Sequence, residues 1–476
     1  MELARRVAKN TFYNVSALIL GNVSGLFLTI FLARILKPEQ FGIYSLALSI
    51  AMLATSLSSL GIDRTVVRYT AYYVGINDIE SVRGCLRHFM KIRVILSIIV
   101  SSLLIILSKA LAEFFGDSRL TIPFVISGFI VFFYSLVCFL DAFFKGLQRF
   151  EYSFLRQVVY EASRWVFVIP LATMYLAVGA LIGFSIAFAV AFTLLLVIFI
   201  FKYFYFISGN SKPVSSKVNI FIGYMTIASL SGLMYAYVDT IMIGYFLTPT
   251  DVGFYRAAYT IVFALVGLIS SLSSVLFPTF TQMTVDEINK ALNKLIKYSA
   301  MLTFPLSFVL YFLAEKIVLL IYGVNYLPAV DVMHILAFIL IVSSFDYLYS
   351  IFSAKEVPEI TATLNVFGML LNILLNYILI IKFGIVGAAM ATVLSRFIVL
   401  ACVIIALYKL FKIAFNLQIP LKLLFFVILD LIVVNYLAVD LPIKLLSALI
   451  IYLVLLIITR TLTLDDIKYF ISVLKP

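Results

Sequence analysis

The sequence predicts an all-α integral membrane protein with about 14 transmembrane helices, built from two parallel six-helix repeats and two additional C-terminal helices. Three observations predict it. Hydrophobic residues make up 64% of the 476 residues and charged residues 12%, with a mean hydropathy of +1.15, more apolar surface than one soluble core can hide. Apolar runs of the roughly 20 residues that a spanning helix needs recur along the whole chain. Two short stretches are near-copies: residues 33–50 read ARILKPEQFGIYSLALSI and residues 244–261 read GYFLTPTDVGFYRAAYTI. Leu36/Leu247, Pro38/Pro249, Gly42/Gly253, Tyr44/Tyr255, Ala47/Ala258 and Ile50/Ile261 coincide without a gap. A membrane chain that repeats itself in halves is the pattern of transporters.

The expected spans are 10–34, 41–61, 88–111, 121–142, 153–176, 179–204, 220–246, 252–277, 296–320, 329–352, 360–381, 385–408, 420–438 and 443–459. The first apolar run, 10–36, exceeds a signal h-region of roughly 7–15 residues and reads as a retained helix. The most polar connection is 207–219, ISGNSKPVSSKVN, a linker composition. The expected organisation is therefore a six-helix bundle at 1–206, a cytoplasmic linker at 207–219, a second six-helix bundle at 220–410, and two helices with a cytoplasmic tail at 411–476. Cys85, Cys138 and Cys402 are scattered and His88 and His334 are far apart. Neither a disulfide framework nor a metal site is expected, and no cofactor.

The net charge of +12 follows from loop topology rather than from a nucleic-acid partner, for which no domain exists. With the N-terminus in the cytoplasm, 25 of the 35 Lys and Arg residues fall on the inner side and 6 on the outer side. That asymmetry obeys the positive-inside rule and places both termini in the cytoplasm of a multi-pass cell-membrane protein. The four left over are Arg34, Arg164, Arg256 and Arg396.

The repeat extends beyond the opening motif. Gly116 matches Gly323, Val178-Gly179-Ala180 matches Val386-Gly387-Ala388, and Ser153, Gln157 and Arg164 match Thr361, Asn365 and Asn372. Six helices per unit is an even number, so both units enter from one side, related by an axis along the membrane normal. On FLARILKPEQFGIYSLA (31–47), GIDRTVVRY (61–69) and VDTIMIGYFLTPTDVGFYRAA (238–258), the chain resembles the Wzx-type polysaccharide transporters of the multidrug/oligosaccharidyl-lipid/polysaccharide exporter superfamily. The resemblance implies a V-shaped pair of bundles around a central cavity and alternating access. It implies that an isoprenoid-pyrophosphate-linked oligosaccharide moves from the inner to the outer leaflet.

Ionisable groups inside a bilayer are costly, about 2.5–3.5 kcal/mol for Arg at a helix centre on insertion scales. Arg164 and Arg396 fall near the middle of their helices, Arg34 and Arg256 near outer ends. All are Arg, the side chain that stays charged when desolvated and grips phosphate bidentately. These four, with Arg64 and Arg68 at the inner rim, are the candidate substrate-binding cations. Each has a plainer reading. Arg164 has Glu161 at i,i+3 and the two can neutralise each other; Arg34 and Arg256 can snorkel; Arg64 and Arg68 can be ordinary rim charges. Polar stripes add Ser231, Tyr235 and Asp239 on the seventh helix, Ser343, Asp346, Tyr347 and Ser350 on the tenth, and Thr361, Asn365, Gly368, Asn372 and Asn376 on the eleventh. Interhelical hydrogen bonding explains the Asn stripe adequately. Asp239, Glu161 and Asp346 are the candidates for a coupling-cation site or for partners of the arginines. Tyr44 and Tyr255 are weak candidates for stacking on sugar. The basic stretch RGCLRHFMKIR (83–93) reads as the start of an interfacial helix on anionic lipid.

The leading expectation is a flippase for lipid-linked oligosaccharide, with membrane lipids, a coupling cation and glycan-assembly enzymes as further partners. A cation-coupled multidrug exporter calls for an acidic cavity, which an arginine in mid-membrane opposes. A lipid II flippase is a nearer cousin. A membrane glycosyltransferase or polymerase calls for a DxD pair or a large outer loop; only Asp465-Asp466 are close together, in the tail. A non-transporting scaffold leaves intramembrane arginines without a purpose.

Overall fold

The computed structural model describes residues 2–214, 216–355, 357–414, 416, 418–436, 441–459 and 461–462. Asp465, Asp466 and the expected tail lie outside them. Among the described residues the structure is helical throughout. The helices are α1 (Glu2–Ser59), α2 (Ile62–Gly75), α3 (Ile79–Ile106), α4 (Ser108–Phe114), α5 (Thr121–Gly146), α6 (Phe150–Tyr203), α7 (Ser216–Phe246) and α8 (Pro249–Gln282). Then come α9 (Val285–Ile321), α10 (Ala329–Leu336), α11 (Ile339–Ser343), α12 (Leu348–Ala354), α13 (Pro358–Phe411), α14 (Gln418–Tyr436) and α15 (Leu441–Ile458). Among the described residues, six stretches are long and apolar enough to cross a membrane, or seven if the bent α10–α12 run is one span. The protein is multi-pass.

Three helices are far longer than one crossing. The apolar runs Lys9–Ser59, Phe150–Phe206 and Glu359–Phe411, which contain most of α1 and α13 and all of α6, are 51, 57 and 53 residues long, about 75–85 Å at the helical rise against a core about 30 Å thick. Each is broken near its middle: α1 at Lys37 (φ 58°), α6 at Tyr175 and Leu176 (φ 53°), α13 at Gly384 (φ 59°). These breaks fall where the sequence places a connection between two spans. Leu176 and Gly384 are separated by the repeat offset and share nearly the same backbone, ψ −134° and −138°. Three residues on, Gly179 and Gly387 repeat a second feature: a Cβ on either would lie 1.8 or 2.0 Å from the Leu171 or Leu379 carbonyl oxygen. Leucine at positive φ is strained by roughly 1–3 kcal/mol. Leu176→Gly is expected to raise the thermal midpoint of the purified protein by a few degrees, and Gly384→Ala to lower it; differential scanning fluorimetry checks both.

The tenth expected helix, 329–352, is not continuous. It breaks into α10, α11 and α12, with a bend of 40° before α12. The cause is local: Ser343 and Ser344 turn their hydroxyls back onto the Leu340 and Ile341 carbonyls at 2.9 and 2.7 Å. Residues 345–350 then close i→i+3 backbone bonds, and serine back-bonding of this kind bends helices. Asp346 sits in that turn rather than on a straight face.

Contacts divide the chain into two compact units. The first holds residues 1–264, 318–332 and 365–395, the second 265–317, 333–364 and 396–476. In the first unit the two copies of the repeated motif meet. A Cβ on Gly42 would lie 1.6 Å from the Pro249 carbonyl oxygen, and one on Gly253 would lie 2.0 Å from the Pro38 carbonyl oxygen. Each copy's glycine admits the other copy's proline turn, which explains why both copies carry the same Pro-x-x-x-Gly spacing. The second unit is organised by an apolar core that includes Ile288, Leu292 and Phe304 of α9, Leu348 and Phe352 of α12, Val403 and Leu407 of α13, Phe426 of α14, and Leu456 of α15. Tyr452 of α15 donates to the Met301 carbonyl at 3.2 Å.

The beginning of the linker is tied to α3. Lys212 reaches both Asp78 oxygens at 3.0 Å, and Arg87 donates to the Gly209 carbonyl at 2.6 Å and to Ser211 Oγ at 3.2 Å. Gly84 has no room for a side chain, because its Cβ would be 2.0 Å from the Lys212 carbonyl oxygen. Hydrogen bonds from Lys212 and then from Ser81 hold the Asp78 carboxyl below its ordinary value of 3.8. A lowered carboxylate contributes above its unfolded value and is lost as pH falls through its native one. Pepsin cleavage within 207–214 is therefore expected to rise below pH 3.8, and Asp78→Asn to make it fast and nearly independent of pH.

Candidate functional site

Three charged centres lie inside the first unit. The first joins α1 to α6. Arg164 pairs with Glu161 at 2.9 Å, both nearly buried. Glu161 also accepts from Ser24 Oγ at 2.7 Å and from Gln157 Nε2 at 2.8 Å, while Trp165 Nε1 donates to Ser24 at 2.9 Å. The Arg164 guanidinium lies over the rings of Tyr160 and Phe184, at 5.2 and 4.8 Å, positions that favour a desolvated cation. Gly21 leaves room for Gln157, since its Cβ would be 2.7 Å from Nε2.

The second centre joins α7, α8 and α13. Asp239, 3% exposed, accepts from Asn376 at 2.6 Å, Tyr255 at 2.7 Å and Thr392 at 2.5 Å. Asn376 also donates to the Asn372 carbonyl and Oδ1, at 3.0 and 3.1 Å. Tyr235 and Ser395 share a hydrogen bond of 2.9 Å. The buried Asn376 Oδ1 has no hydrogen-bond partner. Two of the polar stripes thus converge on one carboxylate, and no cationic side chain touches it among the described residues. An oxygen-rich cluster with one carboxylate suits a proton or a monovalent cation better than a divalent ion, which takes more charged ligands. Among the described residues no group of three His, Cys, Asp or Glu forms a metal cluster.

The third centre is Asp63 and Arg93. Arg93 is fully buried in α3 and donates to Asp63 Oδ2 at 3.2 Å and to the Ser135 carbonyl at 2.9 Å. The charge count takes Arg93 and Arg156 as inner-side residues; in the structure both guanidinium groups are packed within the protein, Arg156 pairing with Asp141 at 3.2 Å beside Lys145–Asp141 at 2.7 Å. Arg93 also falls inside the expected span 88–111.

The remaining candidates divide. Arg256, on α8, lies over Tyr259 at 4.8 Å and Tyr237 at 6.0 Å. Arg34 donates to the carbonyls of Leu320 and Ile321; it caps the C-terminus of α9, where a cation is favoured by the orphan carbonyls. Arg64 and Arg68 are exposed on α2, Arg68 beside Tyr69. Arg396, on α13, and Asp346 belong to the second unit and are half-buried. Tyr44 and Tyr255 are buried, and the Tyr255 hydroxyl is committed to Asp239.

Residues 7–284 match the family model described as polysaccharide biosynthesis protein, more than half of the chain. The chain belongs to this polysaccharide biosynthesis protein family. Two proteins of Haloferax volcanii are similar to this family member. The probable flippase AglR is 30% identical over 264 residues, 53% of this chain and 54% of that protein. The probable low-salt glycan biosynthesis flippase Agl15 is 31% identical over 177 residues, 36% of this chain and 38% of that protein. The match thus spans about half or less of either. The fold is similar to that of a solved structure described as the lipid II flippase MurJ, inward closed conformation, with a TM-score of 0.75 over 95% of this chain and 99% of that one at 15% identity. In this family member the Glu161–Arg164 centre involves α1, which carries the first copy of the repeated motif, and the Asp239 centre involves α7 and α8, which carry the second.

Proposed function

We propose that the protein flips an isoprenoid-pyrophosphate-linked oligosaccharide across the cell membrane by alternating access, without making or breaking a covalent bond. Membership of the polysaccharide biosynthesis family carries the reading, supported by relatives named as flippases. The chemistry agrees. Arg164 and Arg256 are guanidinium groups held against aromatic rings within the apolar first unit, where lysine would more readily lose its proton. With α1, α6 and α13 each counted as two spans and α10–α12 as one, the helices give six, six and two. That arithmetic supports 14 spans, bundles at 1–206 and 220–410 joined by 207–219, and appended helices within 411–476. The matching breaks at Leu176 and Gly384 support two repeats. Charge asymmetry supports cytoplasmic termini.

Arg34, Arg64, Arg68, Arg164, Arg256 and Arg396 remain the proposed cations for the diphosphate, with Arg34 the weakest because a helix end already occupies it. Asp239 is the proposed coupling site, for a proton or a monovalent cation, with Asn376 Oδ1 as a further ligand; Asp346 is the secondary candidate. Glycan-assembly enzymes are the proposed neighbours.

Reconstitution tests the flippase reading. A fluorescent polyprenyl-diphosphate oligosaccharide, placed in vesicles with the purified protein, is expected to become accessible to a membrane-impermeant quencher within minutes and to keep its mass. No increase over empty vesicles rejects the proposal. In the same assay, a sodium or proton gradient is expected to accelerate the wild type. Asp239→Asn is expected to run at a low rate that no gradient changes; a retained gradient response removes Asp239 from coupling.

A further inference from the structure

One face of α3 changes character within a single turn. By helical spacing Arg87, His88 and Lys91 share that face with Ile95, Ile98 and Ile99. All three isoleucines are exposed, and no charged residue falls between Val94 and Ser108. In a multi-pass protein an exposed apolar face on a spanning helix meets lipid, so the step from Lys91 to Ile95 marks the membrane–water boundary. Beside the basic part lies an open hollow of about 560 Å³, whose walls include Arg87 and His88 of α3 and Ser211, Lys212 and Pro213 of the linker. That volume is within the range of ligand pockets, roughly 300–1,000 Å³, and both walls belong to the first unit. Among the described residues no acidic side chain lines the hollow. Around it stand four cations, Arg83, Arg87, Lys91 and Lys212, against Asp78 and Glu80, the two carboxylates near Lys212. Two positive charges are left over. Donors are also available. His88 and Lys91 are exposed, and Ser211 Oγ accepts from Arg87, which leaves its hydroxyl proton to give.

We propose that this hollow is a headgroup site for an anionic phospholipid of the surrounding bilayer. His88, Ser211 and the excess positive charge hold the phosphate, Lys91 stands between the hollow and the apolar face, and the acyl chains lie along Ile95, Ile98 and Ile99. The inference does not depend on which cargo the protein moves. Charge and boundary together decide the ligand. A soluble phosphate would use the cations and make nothing of the isoleucines one turn away. A neutral lipid would cover the isoleucines and leave the positive charge uncompensated. An anionic phospholipid matches both, and each Lys or Arg near an anionic lipid surface favours it by about fivefold. The Arg87 Nη atoms are already given to the Gly209 carbonyl and Ser211, so its share is charge rather than a new hydrogen bond. Because one wall is the linker and the other is α3, a bound phosphate also fastens residues 211–212 to the helix.

The test places the full chain in nanodiscs of phosphatidylcholine with a minor share of phosphatidylglycerol, and native mass spectrometry reads the lipids retained. Wild type is expected to hold phosphatidylglycerol about 10-fold or more tighter than phosphatidylcholine, the product of two charge contributions and a hydrogen bond. The double variant His88→Ala, Lys91→Gln is expected to lose about 10-fold of that affinity, one cation and one donor. A control, Lys290→Gln, Lys409→Gln, removes two exposed cations from α9 and α13 and is expected to stay within twofold of wild type. Equal losses in the two variants reveal diffuse attraction to the bilayer and overturn the site, as does equal retention of the two lipids by wild type. Glycerol 3-phosphate added in large excess is expected to leave the lipid bound; its full displacement would assign the hollow to a soluble phosphate and overturn the lipid. A second readout needs no variant. Proteinase K cleavage of wild type between residues 207 and 214 is expected to be severalfold slower in discs with phosphatidylglycerol than in phosphatidylcholine alone. The same difference in the double variant, or none in wild type, overturns the proposal.

Discussion

Gly42→Ala and Gly253→Ala are each expected to cut flipping at least tenfold while the protein still inserts into the membrane. The added methyl would sit 1.6 or 2.0 Å from a backbone carbonyl oxygen of the other motif copy, where non-bonded contacts prefer about 3.5–4.0 Å. A backbone carbonyl in a proline turn has no rotamer to escape into. Overpacking of a few kcal/mol follows, and each 1.4 kcal/mol is tenfold in the population of this arrangement. The two variants should resemble each other, since each disrupts the same reciprocal contact from opposite sides. Gly75→Ala is the control: nothing lies within 4 Å of its built Cβ, and wild-type rates are expected. Near-normal flipping in both motif variants would show that the close approach of the proline turns is incidental to the transport cycle.

The second large effect separates structure from transport at Glu161 and Arg164. Glu161→Gln leaves a buried guanidinium without its carboxylate, and Arg164→Gln leaves the reverse. Removing one partner of a buried pair typically costs about 3–5 kcal/mol, so both single variants are expected to lose folded yield and thermal stability. The double variant Glu161→Gln, Arg164→Gln removes both charges and is expected to recover most of that stability, a coupling readable from a double-mutant cycle. If Arg164 also grips the diphosphate, the stable double variant still flips at a small fraction of the wild-type rate. Recovery of transport along with stability would assign the pair to packing alone and leave Arg256 and Arg396 to carry the phosphate.

The recognition of spans depended on information close together in the chain. Apolar length, the Pro-Gly turns and the offset between copies placed connections at 35–40, 177–178 and 382–384, at or within two residues of the breaks at Lys37, Tyr175–Leu176 and Gly384, because a helix ends where a few neighbouring residues end it. Glu161–Arg164 was visible for the same reason, both partners lying on one turn. The tenth helix misled because its hydropathy is continuous while the serine back-bonding that bends it leaves hydropathy unchanged.

The sites were less legible. Arg34 lies 286 and 287 residues from the carbonyls that it caps, and Asp239 takes its hydrogen bonds from residues 16, 137 and 153 positions away. Arg93 reads as one more basic residue near a cytoplasmic loop until α2 and α5 close over it. By itself the sequence determined the membrane class and the neighbourhoods of the breaks in α1, α6 and α13, since those follow from hydropathy and local backbone preference. Only the tertiary structure decided which charges meet, because a helix sets the face on which a side chain lies and the packing of distant helices sets what that face encounters.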